Sequence, residues 1–165
     1  YNIPQLTYNI IGLPHEDIHK ALKTIKLNAR IKSDRTIPNI FYPYPGTQLY
    51  ETAKEAGFLP DVISPDCRVP LVQPQFPEHE VLFIEAYFMH FVKRYRWAFA
   101  MPAPLGRIYE RWLDFRVTSR FVPHKFYVWL HDIYKYLRNK LKDFLVDHLP
   151  RVYIKLRRIK HGIKD

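Results

Sequence analysis

Cysteine is almost missing from this chain of 165 residues, which has Cys67 and no other. A lone thiol excludes an internal disulfide. It also excludes an iron–sulfur cluster held by these residues alone, because such a cluster takes several thiolates. The same shortage fits a reducing compartment, so a cytoplasmic location is expected. Glycine is scarce too, with 5 residues against 14 prolines, and aromatics make up 16% of the chain. That composition is not the one of a flexible or low-complexity polypeptide. No run of about 20 apolar residues free of charge occurs, so no membrane-spanning helix is expected. The opening "YNIPQLTYNII" lacks the basic stretch and long apolar segment of a secretory signal. Its first residue is Tyr1 instead of Met, which points to a fragment or a processed chain.

What the chain does have is positive charge. A formal net charge of +10 points to an anionic partner: nucleic acid, a lipid surface or a phosphorylated substrate. The length is enough to bury one sizeable core, or a small helical domain docked on part of a larger one.

From Thr7 to Ile11 the run "TYNII" is β-branched or apolar at nearly every position, as expected for a strand covered on both faces. Gly12 and Pro14 end it. From Glu16 to about Ile31, the residues Ile18, Leu22, Ile25, Leu27 and Ile31 give an apolar stripe with Lys20, Lys23 and Lys26 elsewhere, which predicts an amphipathic helix. "TIPNIFYPYPGT" then reads as a second strand entering a Pro/Gly turn, and "QLYETAKEAG" as a short helix with Gly57 at its C-terminal cap. The order strand, helix, strand, helix predicts a parallel βαβ unit. Parallel sheets are wide and buried, so two strands imply that the rest of the sheet lies outside this chain.

Residues 61–77 carry prolines at 65, 70, 74 and 77 and read as an extended connector. Beyond it come four expected helices, the last two separated by Pro150. The expected organisation is therefore an α/β piece over 1–60, the connector over 61–77, and a basic, aromatic-rich helical region over 78–165.

His15, Glu16 and His19 spell H-E-x-x-H, the pattern in which two histidines one helical turn apart bind zinc and the glutamate activates water. No acidic residue after Asp17 falls within the same helix to complete the ligand set, and Pro14 puts His15 at the cap or first turn. The better reading is two exposed histidines beside acidic residues that favour the helix N-terminus through its dipole. The same turn also allows a ligand to approach the backbone, because Gly12 has no side chain and the N–H groups at a helix start can meet a carboxylate or hydroxyl.

"NIIGLPHED", a helix, and then "FYPYPGTQLYETAKEAGFLP" together resemble the last part of the radical S-adenosylmethionine barrel, in the cobalamin-binding branch of that superfamily. Gly12, Leu13, Pro14 and Glu16 match a Gly-Leu-Pro-Gly-Glu-like turn, and Tyr44, Pro45, Gly46, Thr47, Leu49, Tyr50 and Glu51 match the second motif one helix later. The Pro-Gly-Thr-x-Leu-Tyr order favours this branch over the related methylthio-transferases that act on transfer RNA. The resemblance covers roughly residues 5 to 60. It implies the last βαβα portion of a partial TIM-type barrel, with Asn9, Ile10, Ile11, Gly12 and Pro14 along the adenosine side of the cofactor site and Ile10 an apolar neighbour of the adenine. His15 departs from the family, which usually has Gly there. The CxxxCxxC motif that holds the [4Fe–4S] cluster and the N-terminal cobalamin domain are both absent from this chain. The resemblance thus implies the C-terminal fragment of a longer enzyme, inactive alone, whose whole would use S-adenosylmethionine, the cluster and cobalamin, commonly for methylation at carbon.

Tyr42 and Tyr44 fall at or just past the end of the second strand, where a barrel's active face would be. They are read as substrate-facing, against the alternative that they pack the core or support the turn. Cys67 is read as a buried or incidental thiol. From Arg120 onward, twelve Lys and Arg stand against four Asp, a net of +8. Val152, Leu156, Ile159 and Ile163 form a helical seam flanked by Arg151, Lys155 and Arg158. Such a basic amphipathic helix suits an anionic membrane surface or lipid-like substrate. Interleaved Tyr and Trp also suit nucleic acid, the lesser expectation. The competing reading is a helical domain whose aromatics form its core and whose Lys/Arg face is simply solvated. The other expected partners are the remainder of the enzyme and, through an exposed sheet edge, a second copy of the chain.

Overall fold

Among the described residues, the apolar periods of the sequence are realised as two strands and six helices. The computed structural model describes residues 3–161 apart from 65 and 120, and the backbone alone at 156 and 158–161. The elements are β1 (Leu6–Ile11), α1 (Ile18–Ile31), β2 (Arg35–Ile40), α2 (Gln48–Glu55), α3 (Glu78–Ala100), α4 (Ala103–Thr118), α5 (His124–His148) and α6 (Pro150–His161). β1 and β2 pair in parallel, with Leu6 opposite Arg35 and Ile11 opposite Ile40. α1 starts two residues later than its apolar stripe suggested. Asp17 caps it, accepting a hydrogen bond from the Lys20 amide at 2.7 Å. It ends at Lys32, whose φ of 55° is left-handed. Thr47 caps α2 in the same way, and Gly57 follows its C-cap Ala56 at φ 68°.

The backbone forms two compact units, 1–125 and 126–165. In the first, α3 packs on α1, β2 and α4. Its core takes Ile11 from β1, Ala21 and Ile25 from α1, Val81, Ile84, Phe88 and Val92 from α3, and Val117 from α4. The connector lies inside this unit. Its Leu71 joins Phe41 and Ala53 in a second apolar cluster, with Leu13 and Leu59 packed against it. The helices therefore cross closely: a Cβ placed on Gly106 of α4 would stand 2.5 Å from the Ala98 carbonyl oxygen of α3.

The expectation that β1 is covered on both faces fails within this chain, and its polarity is the reverse of a core strand. Thr7 and Asn9 turn toward α1, where the buried Asn28 receives the Thr7 hydroxyl at 2.7 Å and donates to Asn9 Oδ1 at 2.7 Å. The intervening Leu6, Tyr8 and Ile10 are 46%, 69% and 54% exposed. The apolar side of the strand thus faces outward.

In the second unit, Tyr134, Tyr136, Leu137, Leu141 and Phe144 of α5 are all exposed. Arg138 lies over the Tyr134 ring and Lys140 over the Tyr136 ring. Of the expected basic seam, Val152 is exposed on α6, while the side chains of Leu156, Arg158 and Ile159, and Arg120 and Ile163 altogether, lie outside the described residues. No helix among the described residues is long and apolar enough to cross a membrane.

Candidate functional site

Parallel strands bring their C-terminal ends to one edge of a sheet, and that edge is where open α/β folds bind ligands. Here it joins the turn after β1 to the segment after β2, where the Phe41 amide donates to the Ile11 carbonyl at 2.8 Å. Gly12 begins the turn at φ 81° and His15 also adopts a left-handed φ, of 60°. A Cβ on Gly12 would meet Val81 at 3.5 Å, an ordinary contact, so the conformation and not the space requires glycine.

The turn is held by two side chains. Glu16 is buried and accepts from the amides of both Gly12, at 2.6 Å, and Leu13, at 3.0 Å. Gln73, reaching over from the connector and also buried, accepts from the His15 amide at 2.9 Å and donates to the Leu13 carbonyl at 3.0 Å. Burial raises the Glu16 pKa above its ordinary 4.5, and the two amide hydrogen bonds offset part of the rise.

The Gly12 and Leu13 N–H groups of the turn are taken up by Glu16 of the chain itself. Of the H-E-x-x-H residues, His15 is exposed and precedes the helix, His19 lies exposed in its first turn, and the Glu16 carboxylate points back into the turn.

The five residues of the expected adenosine side are divided between the two faces of the strand and the turn. Asn9 is bonded to Asn28, Ile11 is fully buried and Gly12 is buried in the turn, while Pro14 is half-buried. Only Ile10 presents its side chain on the open face. Tyr42 and Tyr44 are 44% and 65% exposed, with ring centroids 5.0 Å apart. They stand beyond the C-terminal end of β2. Cys67 is half-buried, its thiol 3.2 Å from the Val69 carbonyl.

Sequence reasoning passed over Gln73, the brace of the turn. Its signal was a polar residue inside "VPLVQPQF", a connector otherwise rich in apolar residues and proline. It also passed over His124, a buried histidine whose Nε2 has no hydrogen-bond partner. No protein-family model, curated protein or solved structure matches the chain.

Proposed function

We propose that this chain is the C-terminal part of a cobalamin-dependent radical S-adenosylmethionine enzyme, contributing closing strands of the barrel and a basic helical accessory region. One observation carries the reading: the open face of β1 bears Leu6, Tyr8 and Ile10, while its polar residues are paired internally against α1. A parallel sheet is normally covered on both faces, and the exposed apolar side is the one that would line a barrel's interior. Pro38 in β2 removes one ladder donor, which is tolerated at a sheet edge. That leaves the free edge of β1 as the side where further strands would add. The Gly12 turn, Tyr42 and Tyr44 would then share the active rim.

The residues present fit part of the cofactor set. Ile10 offers an apolar contact for an adenosine, and Asn9, Ile11, Gly12 and Pro14 hold the strand and turn that carry it. A single cysteine does not fit a [4Fe–4S] cluster, so the cluster, and the cobalamin with it, belong to the rest of the enzyme. When bound, the cluster and S-adenosylmethionine supply a 5′-deoxyadenosyl radical. The proposed reaction class is methylation at carbon, and this chain alone is inactive.

The reading is tested on the complete reading frame that encodes Tyr1 to Asp165. A CxxxCxxC motif upstream of Gly12, and formation of 5′-deoxyadenosine by the anaerobically reconstituted full-length protein, are the expected results. A reading frame without the motif would overturn it.

The exposed aromatic and basic residues of α5 favour a second reading, a non-enzymatic docking module in the cytoplasm at the membrane periphery. It predicts that the chain folds cooperatively alone and sediments with anionic vesicles but not with neutral ones. Equal sedimentation with both would dismiss it.

A further inference from the structure

The first unit contains a histidine with a ring nitrogen left unused. His124, the first residue of α5, is 4% exposed. Its Nε2 is buried with no hydrogen-bond partner. An unpaired buried polar atom is costly, and a ring nitrogen left in this way is open to a metal ion.

Two further ligand types converge on it from the first turn of α3. One ligand atom each from His79, Glu80 and His124 can be chosen so that all lie within 4.8 Å of one another. Phe83, one turn after His79, stacks on the His124 ring with centroids 4.3 Å apart and an interplanar angle of 23°, which fixes the plane of the imidazole.

We infer that His79, Glu80 and His124 form a site for a divalent transition ion of the zinc type, which clamps the first turn of α3 to the start of α5. Two imidazoles and one carboxylate suit this class of ion better than magnesium or calcium, which favour all-oxygen shells. Ligand atoms on a tetrahedral ion with bonds of about 2.0 Å stand about 3.3 Å apart, so side-chain rotations of about 1 Å close the shell. The fourth position falls to water.

The site is independent of the H-E-x-x-H pattern near the N-terminus, and the experiment separates the two. The full chain, stripped with a chelator, is titrated with Zn(II) against a chromophoric competitor and with Co(II) by visible absorption, and its thermal midpoint is followed. Expected are one equivalent of Zn(II), ligand-field bands of a tetrahedral Co(II) centre, and a midpoint that rises with Zn(II) concentration. Affinity should fall about tenfold or more in His79→Asn and in Glu80→Gln, both at half-buried positions, and stay unchanged in His19→Ala. His124→Asn should abolish binding, but its position is buried, so the first two variants carry the decision if it fails to fold. Failure of the chain to take up Zn(II) at micromolar concentration would overturn the assignment. So would binding that survives both His79→Asn and Glu80→Gln, or that disappears with His19→Ala.

Discussion

Glu16 Oε2 stands 2.6 Å from the amide nitrogen of Gly12, and the same oxygen accepts from Leu13. The contact makes the strand-to-helix turn a closed unit. Glu16→Ala would leave two amides without this acceptor and should cost about 1–3 kcal/mol. Glu16→Gln keeps a neutral acceptor and should fall within about 1 kcal/mol of the parent at neutral pH. Because burial raises the Glu16 pKa, the folded chain holds this proton more tightly than the unfolded one. The contribution of the group is therefore greatest below pH 4.5 and declines as pH rises from there through the raised value. Urea unfolding across that range should show the decline in the parent and its loss in Glu16→Gln.

Two glycines are required for different reasons, and alanine substitution should tell them apart. At Gly12 the space exists but φ is 81°, so Gly12→Ala should cost about 1–2 kcal/mol, the price of a left-handed residue with a side chain. At Gly106 the obstacle is the Ala98 carbonyl oxygen, 2.5 Å from the added carbon. Backbone atoms must move, so Gly106→Ala should cost about 1–3 kcal/mol or more through displacement of α4 from α3. A larger loss for Gly12→Ala in equilibrium unfolding would contradict this order.

Lys26 of α1 lies 2.8 Å from the carboxylates of both Glu110 and Asp114 on α4, and the Tyr95 hydroxyl of α3 donates to Asp114 at 2.8 Å. Three helices meet at one carboxylate. Burial works to lower the Lys26 pKa, but Asp114 and Glu110 outweigh it and the net shift is upward. The pair's contribution is thus complete below the ordinary 10.5 and is lost as pH rises through the raised value. Lys26→Met and Tyr95→Phe should each cost about 1–3 kcal/mol. Since both act on Asp114, the double variant should lose less or more than the sum by at least about 0.5 kcal/mol. Simple additivity in a double-mutant cycle would mean that the network is not cooperative.

Much of the fold was legible because the relevant signals were local. Pro14, the Ile18–Leu22–Ile25 stripe, Gly57 and Pro150 each act within a turn or two of the chain, and the elements they predict are present. The faces of β1 were not legible, because a run such as "TYNII" does not say which of its residues will meet Asn28 of a helix that follows. The site was legible only at its backbone. Gly12 announced the turn, but Gln73, which braces it from 60 residues away at the Leu13 carbonyl, is a tertiary choice. His79 and His124 likewise lie far apart in sequence and meet only through the packing of α3 against the segment leading into α5.

The outward apolar face of β1 makes a prediction about the isolated chain. Leu6, Tyr8 and Ile10 lie on alternate residues of one strand and so form a continuous strip, beside a strand edge whose ladder groups lack a partner strand among the described residues. Both features favour pairing with another chain. The protein should therefore associate at micromolar concentration, with a sedimentation coefficient that rises with concentration. Tyr8→Lys with Ile10→Lys puts charge on the strip without touching Thr7, Asn9 or the ladder. It should return the chain to a monomer with little loss of stability, since both side chains are already more than half exposed. If the double variant associates as the parent does, the strip is not the contact, and the basic aromatic surface of α5 becomes the place to look. If it is monomeric but cannot complement the missing part of the longer protein in a split reconstitution that the parent chain supports, the strip is the face that the rest of the sheet covers.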